Sequence, residues 1–224
     1  MRRVDFSVYV ITDRAAGRGR PHDEMAAAAI AGGATIIQLR EKALTAREFV
    51  EAAGRACEVA RRAGVPLIIN DRVDVALAVD ADGVHVGPDD LPVAVARRLL
   101  GPRKIVGASV GTIEEAVAAE RDGADYLGVG SVFATPSKAD AGEPIGIAGL
   151  REIARAVHIR VVGIGGIDPG NAPDVIAAGA TGVAVISAAV GSEDVTAATR
   201  ALVEVVRAAQ RDSAAGRSRR SGDS

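Results

Sequence analysis

Short apolar runs rich in β-branched residues recur along the chain, each followed by an Ala-rich or amphipathic stretch. The runs predict strands near 8–13 (VYVITD), 35–40 (TIIQLR), 66–70 (PLIIN), 83–87 (GVHVG), 104–109 (KIVGAS), 126–132 (YLGVGSV), 160–165 (RVVGIG) and 182–187 (GVAVIS). They are continuous rather than alternating, as expected of strands buried on both faces in a parallel sheet. Between them the pattern predicts helices near 22–32, 45–63, 73–79, 92–100, 112–122, 147–156, 171–178 and 194–210. Eight strands alternating with eight helices predict an α/β fold, a single closed (β/α)8 TIM barrel. A doubly wound open sheet is the alternative, but it rarely needs so many short strands.

Glycine supports the count. Gly32-Gly33, Gly64, Gly101, Gly123 and Gly179 fall where helices should end, each a few residues before a strand. Gly33-Ala34-Thr35, Gly123-Ala124-Asp125 and Gly179-Ala180-Thr181 repeat one turn pattern around the barrel. The third interval is short and predicts a helix of about two turns at most. From Asp212 the chain reads DSAAGRSRRSGDS, without apolar periodicity. The barrel domain is therefore expected over 1–211 and a short disordered tail over 212–224.

Composition narrows the function. A formal net charge of -2 gives no general basic field for nucleic acid, and 2% aromatics offer few stacking platforms for bases. Cys57 is the one cysteine; it has no disulfide partner within the chain and no metal-site spacing. Two arginines follow Met1 without a long apolar segment behind them, so no signal peptide is expected, and no run suits a membrane span. The expected location is the cytoplasm; oligomeric state is left open, a homo-oligomer included.

The predicted strand ends carry the chemistry, and a barrel of this kind keeps its active site there. Strand two ends at Gln38-Leu39-Arg40-Glu41-Lys42, strand three at Asn70-Asp71, and the loop after strand four carries Asp90. Strand five ends at Ser109, and Thr135-Pro136-Ser137-Lys138 follow strand six. Strand seven ends at Gly165-Gly166 and strand eight at Ile186-Ser187. The opposite rim holds mainly glycine, proline and ordinary surface charge, and this asymmetry predicts an enzyme. Asp71 and Asp90 are hard oxygen ligands of the kind a Mg2+ shared with a phosphate uses. Aspartate is also a common cap and turn residue, and Asp89 is read as one. Arg40, Lys42 and Lys138 near those carboxylates suit a diphosphate, although Arg40 and Lys42 also suit a surface cluster with Glu41. The glycines after strand seven and Ser187 after strand eight suit a phosphate held by backbone N–H groups, or simply a tight turn.

No general base stands out. His22 and His158 are expected at the surface, and His85, between Val84 and Val86, reads as a packed histidine behind the site. A reaction driven by departure of diphosphate needs little acid–base work and fits this inventory.

The stretches QLREK (38–42), INDRVDVALAVDADGVHVGPDDL (69–91), GASV (107–110), YLGVGSVFATPSK (126–138) and GIGGI (163–167) closely resemble the thiamine phosphate synthase family. The likeness runs from about Tyr9 to Ala188. It implies a Mg2+-dependent transferase that joins 4-amino-5-hydroxymethyl-2-methylpyrimidine diphosphate to a thiazole phosphate. The products it implies are thiamine phosphate and diphosphate, formed by a dissociative route. Carried over, Gln38, Leu39, Arg40, Glu41, Lys42 and Asn70 would hold the pyrimidine diphosphate, and Asp71 and Asp90 the metal. Ser109 and Lys138 would contact the pyrimidine and its diphosphate; with Arg40 they are the implied catalytic groups. Thr135, Pro136, Ser137, Gly165, Gly166, Ile186 and Ser187 would hold the thiazole phosphate. Many relatives carry a histidine two or three residues after the equivalent of Ser109, where this chain has Gly111 and Thr112. Three rivals share the fold: a thiazole tautomerase, which would not need the Asp71/Asp90 pair with Lys138, a noncatalytic regulatory barrel, and an unrelated phosphate-binding barrel enzyme.

Overall fold

The structure, a computed structural model, describes residues 4–135 and 143–221, with side chains described to residue 215. Its strands are β1 (Val8–Asp13), β2 (Ile36–Arg40), β3 (Leu67–Asn70), β4 (Gly83–Val86), β5 (Ile105–Val110), β6 (Tyr126–Val129), β7 (Arg160–Ile164) and β8 (Gly182–Val185). Each pairs in parallel with the next, and β1 pairs with β8 through Val8 opposite Val183, which closes the barrel. Closure excludes the open doubly wound sheet. The helices are α1 (His22–Ala31), α2 (Ala46–Ala63), α3 (Val73–Ala78), α4 (Val93–Leu100), α5 (Ile113–Arg121), α6 (Gly146–Ala156), α7 (Ala172–Ala177), α8 (Ser187–Val190) and α9 (Val195–Ser221).

The repeated turn before the strands has a physical purpose. Thr35 Oγ1 accepts the Val8 N–H at 3.0 Å, Asp82 Oδ2 that of Leu67 at 2.9 Å, and Asp125 Oδ2 that of Val106 at 2.8 Å. A polar side chain leading into one strand thus satisfies an N–H at the start of the strand before it, the first in β1 and β3 and the second in β5. The α2 and α5 starts carry reciprocal capping boxes, Thr45 with Glu48 and Thr112 with Glu115. Gly64 ends α2 in the left-handed conformation, φ 68°.

Leu39, Ile37, Val84 and Leu127 are wholly buried. Strand side chains alternate between the barrel interior and the helices, so Gln38 and Arg40 share the inward face of β2 while Leu39 lies on the other. α3 is as short as predicted. β6 stops three residues early, because Val132 N–H turns to the Ile164 carbonyl of β7 at 2.8 Å. α8 was not predicted; four residues are too few for a period to show. α9 runs helical to Ser221, past the point where the sequence predicts a tail. Ala214 and Ala215 continue the helical register beyond the packed part, and Val206 is the last fully buried residue among the described side chains of α9. No helix among the described residues is long and apolar enough to cross a membrane.

Candidate active site

A cavity of about 550 Å³ opens at the C-terminal ends of the strands. Arg40, Lys42, Asn70, Asp71, Asp90 and Ser109 line one side, and Thr135, Gly165, Gly166, Ile186 and Ser187 the other. The topology therefore gathers eleven of the predicted site residues into one chamber. Gln38, Leu39 and Glu41 do not line it. Pro136, Ser137 and Lys138 lie outside the described residues.

The cations are held from behind. Arg40 Nη1 lies 2.5 Å from Asp13 Oδ2, with both side chains largely buried. Asp13 Oδ1 also takes the Ala16 N–H at 3.0 Å, so the carboxylate is fixed before it fixes the guanidinium. Asp13 ends β1 as the other site residues end their strands, so position alone could have flagged it. Lys42 Nζ lies 2.5 Å from Asp71 Oδ2. Between these two cations Glu41 turns away. Its side chain is 4% exposed, accepts the Ala43 N–H at 2.7 Å and sits 3.2 Å from His22 Nε2. Burial opposes the Glu41 carboxylate, but the Ala43 and His22 hydrogen bonds outweigh it and hold the carboxyl below its ordinary value. His22 is 1% exposed, against the expected surface position. Its Nδ1 lies 2.8 Å from Thr12 Oγ1 on the outer face of β1, and burial lowers its pKa. A histidine at the start of a helix reads as exposed; β1 and the β2–α2 loop close over this one.

Asp71 adopts a left-handed backbone, φ 64°, which aspartate tolerates better than most residues, and its N–H bonds the His85 carbonyl at 2.8 Å. Asp90 Oδ2 accepts the Gly87 N–H at 2.8 Å. Burial first, then a hydrogen bond and charge from Asp71, push the Asp90 carboxyl above its ordinary value. Two carboxyls facing each other in this way repel unless a proton or a cation lies between them.

Ser109 meets His85 Nε2 at 2.9 Å, so His85 stands behind the site as predicted. Gly111 and Glu115 also line the chamber, and Gly111 N–H bonds Glu115 Oε2 at 2.7 Å. The segment that departs from the family pattern is thus closed by the α5 capping glutamate.

Across the chamber, Gly165 (φ 97°) and Gly166 (φ 64°) make a tight turn. A Cβ on Gly165 would stand 2.1 Å from Ser131 Oγ, and one on Gly166 2.6 Å from the Ala134 carbonyl. Among the described residues, the Gly165 and Gly166 N–H groups reach no protein acceptor. α8 begins at Ser187 beside them. A glycine turn after strand seven and a short helix after strand eight are the usual phosphate-binding elements of this fold.

A family description, thiamine monophosphate synthase, matches residues 8–189. The chain belongs to this family. It is 61% identical over 201 residues to the thiamine-phosphate synthase of Moorella thermoacetica, across 90% of this chain and 96% of that protein. The counterpart from Chloroflexus aurantiacus is 57% identical over 207 residues, across 92% and 95%. The structure of a thiamine phosphate pyrophosphorylase from Pyrococcus furiosus superposes with a TM-score of 0.85 at 48% identity, covering 92% of this chain and 98% of that one. As a thiamine monophosphate synthase family member, the chain is a transferase of thiamine biosynthesis.

Proposed function

We propose that the enzyme joins 4-amino-5-hydroxymethyl-2-methylpyrimidine diphosphate to 4-methyl-5-(2-phosphooxyethyl)thiazole or its carboxylated tautomer, releasing thiamine phosphate and diphosphate. The observation that carries this reading is the division of one chamber into two anion-binding sides. Carboxyls and cations (Asp71, Asp90, Arg40, Lys42) face a glycine turn and helix start (Gly165, Gly166, Ser187), with Ser109 on the strand between Asp90 and Thr135. A diphosphate suits the first side and a monophosphate the second.

The Asp71/Asp90 pair is a fitting seat for Mg2+, since the ion prefers one or two carboxylates completed by phosphate oxygens and water. Bound there, Mg2+ would neutralise charge on the departing diphosphate. The protein's own groups do the rest. Arg40, anchored by Asp13, and Lys42 receive the negative charge that grows as the pyrimidine C–O bond breaks. Lys138 is assigned the same task. Asn70 and Ser109 hold the pyrimidine ring. The Gly165-Gly166 turn, Thr135, Ile186 and Ser187 hold the thiazole phosphate, so that its ring nitrogen forms the C–N bond as diphosphate leaves. The chamber cations Arg40 and Lys42 suit a dissociative route, in which charge builds on the leaving diphosphate.

Incubation with both substrates and Mg2+ tests the reading. Thiamine phosphate and diphosphate should appear together in equal amounts. A protein that is folded yet forms neither overturns it.

A further inference from the structure

Beneath the chamber, five side chains form a line of hydrogen bonds across the barrel. Gln38 Nε2 donates to the Tyr9 oxygen at 2.8 Å. The Tyr9 and Tyr126 hydroxyls are 2.7 Å apart. Tyr126 OH lies 2.8 Å from His85 Nδ1, and His85 Nε2 lies 2.9 Å from Ser109 Oγ. Gln38, Tyr9, Tyr126 and His85 are buried, and Ser109 lines the chamber. The barrel is cut to fit them. A Cβ on Gly107 would stand 2.1 Å from Tyr126 Cζ, and one on Gly128 3.0 Å from His85 Cε1.

Each phenol has one hydrogen to give. Among the described residues, the Tyr9 hydroxyl touches only the Gln38 amide nitrogen, which accepts nothing, and the Tyr126 oxygen. Its hydrogen therefore goes to Tyr126. Gln38 also acts on the Tyr126 oxygen as a donor, so among the described residues the Tyr126 hydrogen goes to His85 Nδ1. With Nδ1 accepting, a neutral imidazole carries its hydrogen on Nε2 and gives it to Ser109 Oγ. The Ser109 hydrogen is left pointing to the chamber.

We propose that Gln38, Tyr9, Tyr126 and His85 are positioning residues that form a one-way hydrogen-bond chain and keep Ser109 a hydrogen-bond donor to the substrate. Ser109 then grips the pyrimidine through an acceptor, a ring nitrogen, and rejects a ring that offers only a donor at that place. This rests on the assignment of Ser109 to the pyrimidine.

The chain can be read in the free protein, apart from any assay. The sequence has three histidines, so 15N-labelled imidazole spectra, with His85 identified by its loss in His85→Asn, report the tautomer. The native protein should show a neutral Nε2–H form. Gln38→Glu replaces the donor at the far end with an acceptor, reverses every bond and should move the hydrogen to Nδ1. Should that variant fail to fold, Tyr126→Phe breaks the chain in the middle and should leave His85 a mixture of tautomers. A native Nδ1–H form, or an unchanged spectrum in the folded variants, overturns the proposal.

A double-mutant cycle adds the functional readout. Tyr126→Phe and Ser109→Ala should each lower kcat/KM for the pyrimidine diphosphate about tenfold, the scale of one hydrogen bond. The double variant should be no worse than Ser109→Ala. Losses that multiply mean that Tyr126 acts by packing alone, and sink the idea. A native protein that makes no thiamine phosphate would remove the proposed substrates but leave the tautomer measurement standing.

Discussion

Lys42 Nζ lies 2.5 Å from Asp71 Oδ2, while Asp71 in turn faces Asp90. One carboxylate of the pair is thus compensated by a lysine and the other is held above its ordinary pKa by burial and by its neighbour. A divalent cation would relieve both. Chelation should abolish turnover and added Mg2+ restore it. Asp90→Asn should raise the Mg2+ needed for half-activation roughly tenfold or more, because a charged ligand is lost. It should not lower the melting temperature, since the amide oxygen can still accept the Gly87 N–H and the repulsion is gone. Full activity of the native protein in metal-free buffer would refute the metal reading.

Lys138 is assigned to the leaving diphosphate by the sequence. A cation that meets charge developed in the transition state acts on kcat more than on binding. Lys138→Ala should therefore slow kcat by roughly two to three orders of magnitude. The KM for the thiazole phosphate should change much less. Steady-state kinetics with each substrate varied in turn would expose an unchanged kcat, and with it a solvated lysine.

Gly165 is constrained twice, by its φ of 97° and by Ser131, whose Oγ and Cα would lie 2.1 and 2.9 Å from a Cβ there. Gly165→Ala should cost about 2–4 kcal/mol, combining left-handed strain with overpacking. Any surviving activity should show a raised KM for the thiazole phosphate. Denaturant titration checks the first point; an unchanged midpoint would mean the turn has room to spare.

His22 predicts a pH dependence of stability. It faces Thr12 and Glu41, with Arg14 and Asp13 acting through charge. Burial lowers its folded pKa below the ordinary 6.5, so the unfolded chain binds the proton more readily. Stability is full above about 6.5 and falls as pH drops through that value toward the folded pKa. Glu41, also lowered, adds a further loss at more acidic pH, below its ordinary 4.5. Melting temperature should decline from about pH 7.5 to 5.5, and His22→Gln should flatten that decline. Equal slopes in both proteins would place the titrating group elsewhere.

The helix beyond Asp212 should be dispensable. The described side chains from Arg211 onward are exposed or only half-buried, and Val206 is the last of the described α9 side chains to be fully buried. Ending the chain after Asp212 should shift the unfolding free energy by no more than ~0.5 kcal/mol. A large drop in melting temperature would reveal docking of that segment.

The barrel was legible because its evidence is local. Continuous β-branched runs and glycine-ended helices each sit within a few neighbouring positions. The site was legible to the extent that strand ends share one rim. Side-chain direction was less accessible. Gln38 and Arg40 alternate inward, so Leu39 had to face the helices, a period-two inference the motif concealed. Glu41 sits between two cavity cations, yet follows His22, a residue 19 positions earlier. The Tyr9–Tyr126 contact joins residues 117 positions apart, and nothing in either neighbourhood announces it. Such pairings come from closure of the barrel rather than from local preference.

Gln210 near the end of the packed helix donates to Ser7 Oγ at 3.0 Å and to the Thr181 carbonyl at 2.8 Å. Ser7 stands just before β1 and Thr181 just before β8, so this clasp lies on the face opposite the chamber. The two ends of the packed chain leave side by side from the underside. A tag, a fused protein or a surface tether attached at either end would sit beneath the barrel and leave its mouth open to solution. The same proximity makes the fold a candidate for circular permutation, with a short linker in place of the clasp and new ends cut into an exposed loop.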